Sequence, residues 1–438
     1  MQKQKNTTSA STINRRQFIG TAAAGTLAIS TLKSQKAAAQ SDKIKFGLIG
    51  AGWYGMVDVK AAFKVGGVEC LAVCDVDTEH LEKSANEIAE LQGSKPKAFK
   101  DYRELLDVEG LQAVIIATPP HWHALPFLAA LDRGLDIYCE KPLAYDIREG
   151  QVVVDAANKS DRIIQIGFQR RKAQSLIDAR DFIQAGNLGH VVQADVQIHY
   201  NAPMRDATPQ DPPVSLDWET WCGPAPKLPY SPNIGHFAWR LEKEYGHGHL
   251  VDWGIHLLDA TRWILNESMP KTVHAFGGIY KLKDQITTPD SLTANFDFAA
   301  CPVTWRHRLW GAKEYTQETT NGIFFYGEKG TVFASDRRWV FIPNERGAEK
   351  QVHEGRSDAG RDKMADFLEA VKTRNKEKLH TAQDGFYSTA TTQLGMIAYE
   401  TDSVVKWDMD SKEIVDNREA ASLLKREYRA PWKHPYEG

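Results

Sequence analysis

A buried strand, a glycine turn and a helix follow one another without a break near the start of this chain, and no other stretch restricts the fold so tightly. Lys45-Phe-Gly-Leu-Ile49 is apolar enough for a fully buried strand. Gly50-Ala-Gly52-Trp53-Tyr54-Gly55 follows at once, and a helical stretch runs to about Lys64. Val68 to Cys74 is a second strand, closed by Asp75. Together these make the full dinucleotide fingerprint rather than an isolated glycine pattern. Gly50 permits the tight turn, and Gly52 lets backbone approach a pyrophosphate. Gly55 lets the helix pack on the strand, with the helix N-terminus facing phosphate. Asp75 stands twenty residues after Gly55, where a carboxylate accepts ribose hydroxyls and repels a 2′-phosphate. NAD is therefore favoured over NADP. Trp53 and Tyr54, within the turn, are counted as cofactor contacts. The competing reading is a glycine turn in a doubly wound sheet that holds no ligand.

The alternation of strand and helix continues. Helical stretches are expected at Glu79–Gln92 and Tyr102–Leu106, and Leu111–Ala117 is a buried strand. It ends in Thr118-Pro119-Pro120-His121-Trp122-His123, a turn that opens a helix over Ala124–Arg133. Thr118, Pro119, His121 and His123 fall at the carboxyl edge, where a nicotinamide would lie; either histidine also suits a plain helix start. The next strand delivers Glu140-Lys141-Pro142 to the same edge, so Lys141 points toward whatever the glycine loop holds. A helix over Asp146–Asn158 and a strand over Ile163–Gly167 follow, and a doubly wound fold of six strands is expected, five of them located here.

The fingerprint, Thr-Pro-Pro-x-x-His and Glu-Lys-Pro, in this order and spacing, resemble the glucose–fructose oxidoreductase / inositol dehydrogenase (Gfo/Idh/MocA) family. The resemblance implies an N-terminal Rossmann domain, placed at 41–167, and a C-terminal α/β domain with a large, open, mostly antiparallel sheet, placed at 168–407. In such proteins one face of that sheet shapes the substrate pocket and the other often supports oligomer contacts, so a homo-oligomer, dimer or tetramer, is expected.

In the second half, Phe168-Gln-Arg170-Arg171 leaves the last nucleotide strand, and a helix over Ala173–Gln184 stops at Gly186. Val191–Tyr200 alternates as a sheet strand should. Residues 201–247 are rich in proline and aromatics, too long for a structureless connector, and read as a packed functional loop. Its aromatics, with Trp239, Arg240 and His236, suit the faces and hydroxyls of a sugar; alternatively they pin the loop to the core. Arg170 and His249 complete the expected substrate contacts.

Gly248–Asp259 reads as a helix on which Asp252 and His256, four apart, share a face. The carboxylate would orient the imidazole and favour its protonated form. The stretch resembles the family's Asp-x-Gly-x-His segment, which implies that Asp252 and His256 join Lys141 as catalytic residues at the substrate carbon. His247, His249, Asp252 and His256 also form a His- and Asp-rich run, but its spacing is no standard zinc signature, and no metal is expected. Further strands are expected at Thr272–Tyr280, Ser291–Phe298, Val303–Leu309, Gly322–Tyr326, Gly330–Ala334 and Val404–Trp407. Helices are expected at Arg361–Thr373 and Gly385–Thr401. The tail 408–438 is expected at the surface or on a neighbouring subunit.

Residues 1–40 stand apart as a leader. Asn14-Arg15-Arg16-Gln17-Phe18-Ile19, an apolar region to Leu32 and Ala37-Ala38-Ala39 resemble a twin-arginine signal peptide, with an ordinary secretory signal as the alternative. Export of a folded, loaded protein to the periplasm implies a cofactor held tightly. A net charge of −3 argues against nucleic acid or an anionic membrane as partner. No run after the leader is long and apolar enough to span a bilayer. Five irregularly spaced cysteines give no disulfide framework. The expected function is an NAD(P)-dependent oxidoreductase acting on a sugar, glycoside or cyclitol hydroxyl. The alternative is an NAD-dependent glycosidase working by transient oxidation, elimination and re-reduction. A non-catalytic secreted sugar-binding protein stands third.

Overall fold

Strands β1 (Ile44–Ile49), β2 (Val68–Cys74), β3 (Lys97–Phe99), β4 (Ala113–Ile116), β5 (Asp136–Cys139) and β6 (Ile164–Ile166) form the first sheet of the computed structural model, which describes residues 43–436. The expected leader at 1–40 lies outside the described residues. The strands pair in the order β3-β2-β1-β4-β5-β6, all parallel. That order reverses direction between β1 and β4, and ligands bind at the carboxyl ends beside such a switch point. β4 and β5 are buried at every position, as strands covered on both faces must be. The helices α1 (Trp53–Val65), α2 (Thr78–Gln92), α3 (Tyr102–Leu106), α4 (Ala124–Asp132) and α5 (Ile147–Asn158) connect them. Asp77 caps α2 and Asp146 caps α5, but α1 begins after Gly52 with no side-chain cap and no acidic residue in its first turn. Its free N–H groups are left for an anion.

The second sheet has ten strands. Its order is β14 (Gln351–Glu354), β13 (Arg338–Pro343), β12 (Gly330–Ala334), β11 (Asn321–Gly327), β7 (Val191–His199), β10 (Pro302–Arg308), β9 (Ser291–Asp297), β8 (Thr272–Gly278), β15 (Val405–Asp408) and β16 (Glu413–Val415). Only β7 and β10 pair in parallel; every other neighbour is antiparallel. Helices α6 (Gln174–Gln184), α7 (Ile255–Leu265) and α9 (Ala382–Glu400) pack against it, and α8 (Ala359–Thr373) reaches back to α1. One apolar cluster runs from Ile116 and Phe168 through Leu257 to Phe296 and Trp305. All five cysteines are free and buried. Among the described residues, no helix is long and apolar enough to cross a membrane.

The tail beyond Asp408 is mostly exposed or half-buried. After β16 it turns back onto the start of α5. Arg426 lies 3.6 Å over the Tyr145 ring, Tyr428 Oη donates to Glu149 Oε1 at 2.8 Å, and His434 Nε2 lies 3.0 Å from Asp146 Oδ2. Asp146 and Glu149 are buried carboxylates, and the basic, aromatic tail supplies the partners they need.

Arg171 ties the end of the first half to the helices of the second. Its guanidinium donates to both oxygens of Asp259, at 2.8 and 2.5 Å, and to Asp384 Oδ2 at 2.5 Å. Ser388 Oγ donates to the same Asp259 at 2.7 Å. Removing one partner of such a buried pair typically costs about 3–5 kcal/mol because the other charge stays behind. Arg171→Met is expected to lose that much in a denaturant titration, and a loss below about 1 kcal/mol would show that Ser388 and Arg262 suffice for the two carboxylates without Arg171.

Candidate active site

A cleft of about 930 Å³ opens at the carboxyl edge of the first sheet. Gly50 to Tyr54, Asp75, Thr118 and Pro119 line one side, and Tyr230, His236, Trp239 and Arg240 of the loop 201–247 line the other. The loop is held there by main chain: Thr78 N–H donates to Ser215 O at 2.9 Å and Asp217 N–H to Val76 O at 3.1 Å.

The glycine turn fits a dinucleotide. Gly50 has φ +90°, and a Cβ there would sit 2.7 Å from the Ala117 carbonyl carbon. A Cβ on Gly55 would overlap the Gly50 oxygen. A Cβ on Gly52 would meet nothing nearer than His80 Nδ1 at 4.0 Å, so the space before it is free for phosphate. Asp75 Oδ2 accepts from Ala51 N–H at 2.7 Å and Oδ1 from Asp77 N–H at 2.9 Å. Each oxygen keeps a lone pair for a ribose hydroxyl. Burial raises the pKa of this carboxyl, and its backbone donors work against that. Tyr54 Oη, beside the turn, accepts from Gln169 Nε2 at 2.6 Å.

Lys141 leaves β5 at the same edge, and its peptide bond to Pro142 is cis. Its Nζ donates to the backbone oxygen of Asp252 at 2.7 Å and to Asp252 Oδ1 at 3.1 Å. Arg240 Nε lies 3.4 Å from Asp252 Oδ2. Burial works to raise the Asp252 pKa, but Lys141 and then Arg240 outweigh it, and the carboxyl ends below its ordinary value. Lys141, Asp252 and His256 do not line the cleft itself; Arg240 does, and it joins the cleft to them.

The expected Asp252–His256 pair does not form. Among the described residues no hydrogen bond joins them, and His256 Nδ1 is buried without a partner. The stretch Leu250–Gly254 is a π-helical turn, and α7 proper starts at Ile255. A π turn is wider than an α turn, so residues four apart lose their shared direction. The carboxylate turns instead to two cations. Burial first, then Lys141 and Arg170, push the His256 pKa well below its ordinary value, which is the reverse of the protonated imidazole expected.

Other expected residues are distributed around this centre. His249 is buried with neither ring nitrogen partnered, beside Tyr200 and His307. Arg170 lies over the Trp253 ring, with Asp336 at 3.3 Å. Glu140 accepts weakly from Lys141 N–H at 3.3 Å, and its Oε1 has no partner. Thr118 Oγ1 is likewise buried and unpartnered.

The two histidines expected at the nicotinamide are struts instead. His121 Nε2 meets Trp221 O at 2.9 Å, and its ring packs on Trp221 and Tyr245. The His123 ring nitrogens lie 2.6 Å from Pro142 O and 2.7 Å from Thr118 O, between the proline turn and the lysine turn. Those carbonyls favour a protonated ring, but burial prevails and lowers the pKa to about 4. Trp218, Trp221 and Tyr230 form a small buried core with Tyr245, so these aromatics pin the loop. Trp239 stacks on Arg240 at 4.3 Å, and both reach the cleft. His236 bonds to Asp77 at the Asp75 end of the cleft, not to the residues around Lys141. His80 and Trp432 also line the cleft, and no local sequence pattern marks either.

An open parallel sheet with a glycine fingerprint at its switch point, followed by an open mixed sheet, defines a two-part protein of the dinucleotide-binding class. Residues 44–168 match the oxidoreductase-family NAD-binding Rossmann fold, and residues 196–434 match that family's C-terminal α/β domain. The chain belongs to the Gfo/Idh/MocA oxidoreductase family. It is 31% identical over 312 residues to inositol 2-dehydrogenase of Rubrobacter xylanophilus, covering 70% of this chain and 74% of that protein. It is 32% identical over 161 residues to inositol 2-dehydrogenase of Salmonella typhimurium, covering 36% of this chain and 46% of that one, so less than half of this relative is matched. Levoglucosan dehydrogenase, solved with NADH and levoglucosan, shares the fold with a TM-score of 0.64 at 17% identity, over 83% of this chain and 99% of that one.

Glu140 yields a pH test. Burial raises its pKa from 4.5 to about 7, against the pull of Lys141. Between those values the folded chain holds a proton that the unfolded chain releases, so this position loses stability as pH rises. The unfolding free energy of the wild type minus that of Glu140→Gln is expected to fall from pH 4.5 to 7 in parallel denaturant titrations; a rise across the interval would contradict the assignment.

Proposed function

We propose that this chain is an NAD-dependent oxidoreductase acting on a hydroxyl of a sugar, glycoside or cyclitol, with the dinucleotide held tightly. The observation that carries the reading is the contact of Lys141 Nζ with Asp252, 111 residues further along, next to a cleft built for a dinucleotide. The inositol dehydrogenases among its relatives, and the levoglucosan bound by a protein of the same fold, support a polyol or sugar substrate.

Bound NAD supplies the hydride acceptor. The chain supplies the rest. An ammonium has three donors, and Lys141 spends two on Asp252, leaving one for the substrate oxygen. That donor steadies the alkoxide as it develops. His256 is neutral with Nδ1 unpartnered and accepts the hydroxyl proton, as a base weakened by burial and by the cations Lys141 and Arg170. Asp252 acts through Lys141 as a positioning residue. His249, with both ring nitrogens unpartnered, and Arg240, beside Asp252, would hold the remaining hydroxyls. Export through the leader at 1–40 belongs to the same reading and matches a cofactor that stays bound.

The test uses purified wild type and Lys141→Ala with myo-inositol, levoglucosan and aryl glycosides, following nicotinamide absorbance beside aglycone release. Lys141→Ala is expected to keep NAD by native mass spectrometry and to lose about 10²–10⁴-fold in turnover. Full activity in the variant would remove the lysine from the mechanism. Aglycone released without net NADH would replace net dehydrogenation by the redox-neutral glycosidase.

A further inference from the structure

The seam between α2 and the loop 201–247 carries a second set of ligating side chains, which the proposed hydride chemistry does not use. Asp77 caps α2 through Oδ1, which accepts from Glu79 N–H at 2.9 Å and His80 N–H at 3.4 Å. Its Oδ2 is left facing the loop, where His236 Nε2 lies 2.9 Å away. The rings of His80 and His236 face each other with centroids 4.3 Å apart. One ligand atom from each of the three residues lies within 4.8 Å of the others.

Two further observations separate this cluster from an ordinary surface group. His80 Nδ1 is buried and has no hydrogen-bond partner, a cost that a ligand would remove. His236 has φ +59°, a left-handed conformation that a non-glycine residue adopts at some expense, and that backbone holds its ring against Asp77. His80 and His236 both line the cleft, so solvent can reach the space between them.

We propose that Asp77, His80 and His236 form a binding site for a divalent transition metal of the zinc type, open on the cleft side. Two imidazoles and one carboxylate make a mixed set that suits zinc and disfavours magnesium or calcium, which take oxygen ligands. With bonds of about 2.0–2.1 Å, tetrahedral ligands stand about 3.3 Å apart, so the 2.9 Å between Asp77 and His236 needs to open by a few tenths of an ångström and the His80 nitrogen, within 4.8 Å of these atoms, to close toward them. The fourth position faces the cleft and is free for water or a ligand oxygen. A metal here would staple the loop to α2 beside Asp75, at the ribose end of the cleft.

The test is metal stoichiometry on the tag-free full chain, stripped with a chelator and dialysed against zinc chloride alone. The wild type is expected to hold one zinc per chain at this site and to melt at a higher temperature with zinc than without. His236→Asn removes the ligand but tolerates the left-handed backbone, and His80→Gln removes the other imidazole while keeping the helix. Both are expected to bind this zinc at least tenfold more weakly and to lose the thermal shift, while melting like the wild type in chelator. A wild type that takes up no zinc, or variants that keep both uptake and thermal shift, would overturn the proposal. A variant that does not fold leaves the other variant and the wild-type stoichiometry to decide. The readout involves no turnover, so it stands or falls apart from the proposed oxidation.

Discussion

Lys141 and Asp252 come from opposite halves of the chain, and their contact joins the two beside the cleft through Arg240. The ammonium sits on a backbone oxygen and a carboxylate oxygen of the same residue. Both side chains are largely withdrawn from water, with 12% exposure each. A pair this deep is held by geometry and by its neighbours more than by Coulomb energy alone, because removing either partner strands the other charge. Arg240 adds a second cation to the same carboxylate and reaches from there into the cleft. One aspartate therefore links the lysine turn, the π-helical turn and the loop over the dinucleotide.

Everything around this contact keeps those three pieces in register. His123 lies between the Thr118 and Pro142 carbonyls, and the one N–H of its neutral ring ties it to one of them. Gly254 permits the π turn to lie against Trp305, whose ring a Cβ there would approach to 3.2 Å. Arg171 and its two carboxylates join the end of β6 to α7 and α9. The tail closes on Asp146 and Glu149 at the base of α5, and Trp432 reaches the cleft. Burial has a cost at each of these charged residues, and each is met by a specific partner.

The nucleotide half could be read from residues because its signals are local. The glycine turn demands particular backbone angles, and buried parallel strands are unbroken apolar runs. β3 escaped because it is three residues long and begins with a lysine at the sheet edge. In the second half, alternation marked β7 to β12, but β14 is exposed at every position and carries no such pattern. Lys141 and Asp252 stand out in the sequence and meet in the structure, but the network around them was not legible. Spacing of four placed Asp252 against His256 only if the helix was regular, and no residue type announces a π turn. Arg240 arrives from a loop whose path depends on packing with the first half. The partners of the tail lie some 280 residues upstream, beyond the reach of any local rule.

A crystal structure with NAD and a cyclitol such as myo-inositol bound together tests the central claim most directly. One substrate hydroxyl is expected within about 2.6–3.2 Å of both Lys141 Nζ and His256 Nδ1. The carbon bearing it should stand about 3–3.5 Å from the reactive nicotinamide carbon. A cyclitol seated in the cleft with its ring carbons turned away from these two side chains, and with the Lys141–Asp252 contact unchanged, would contradict it.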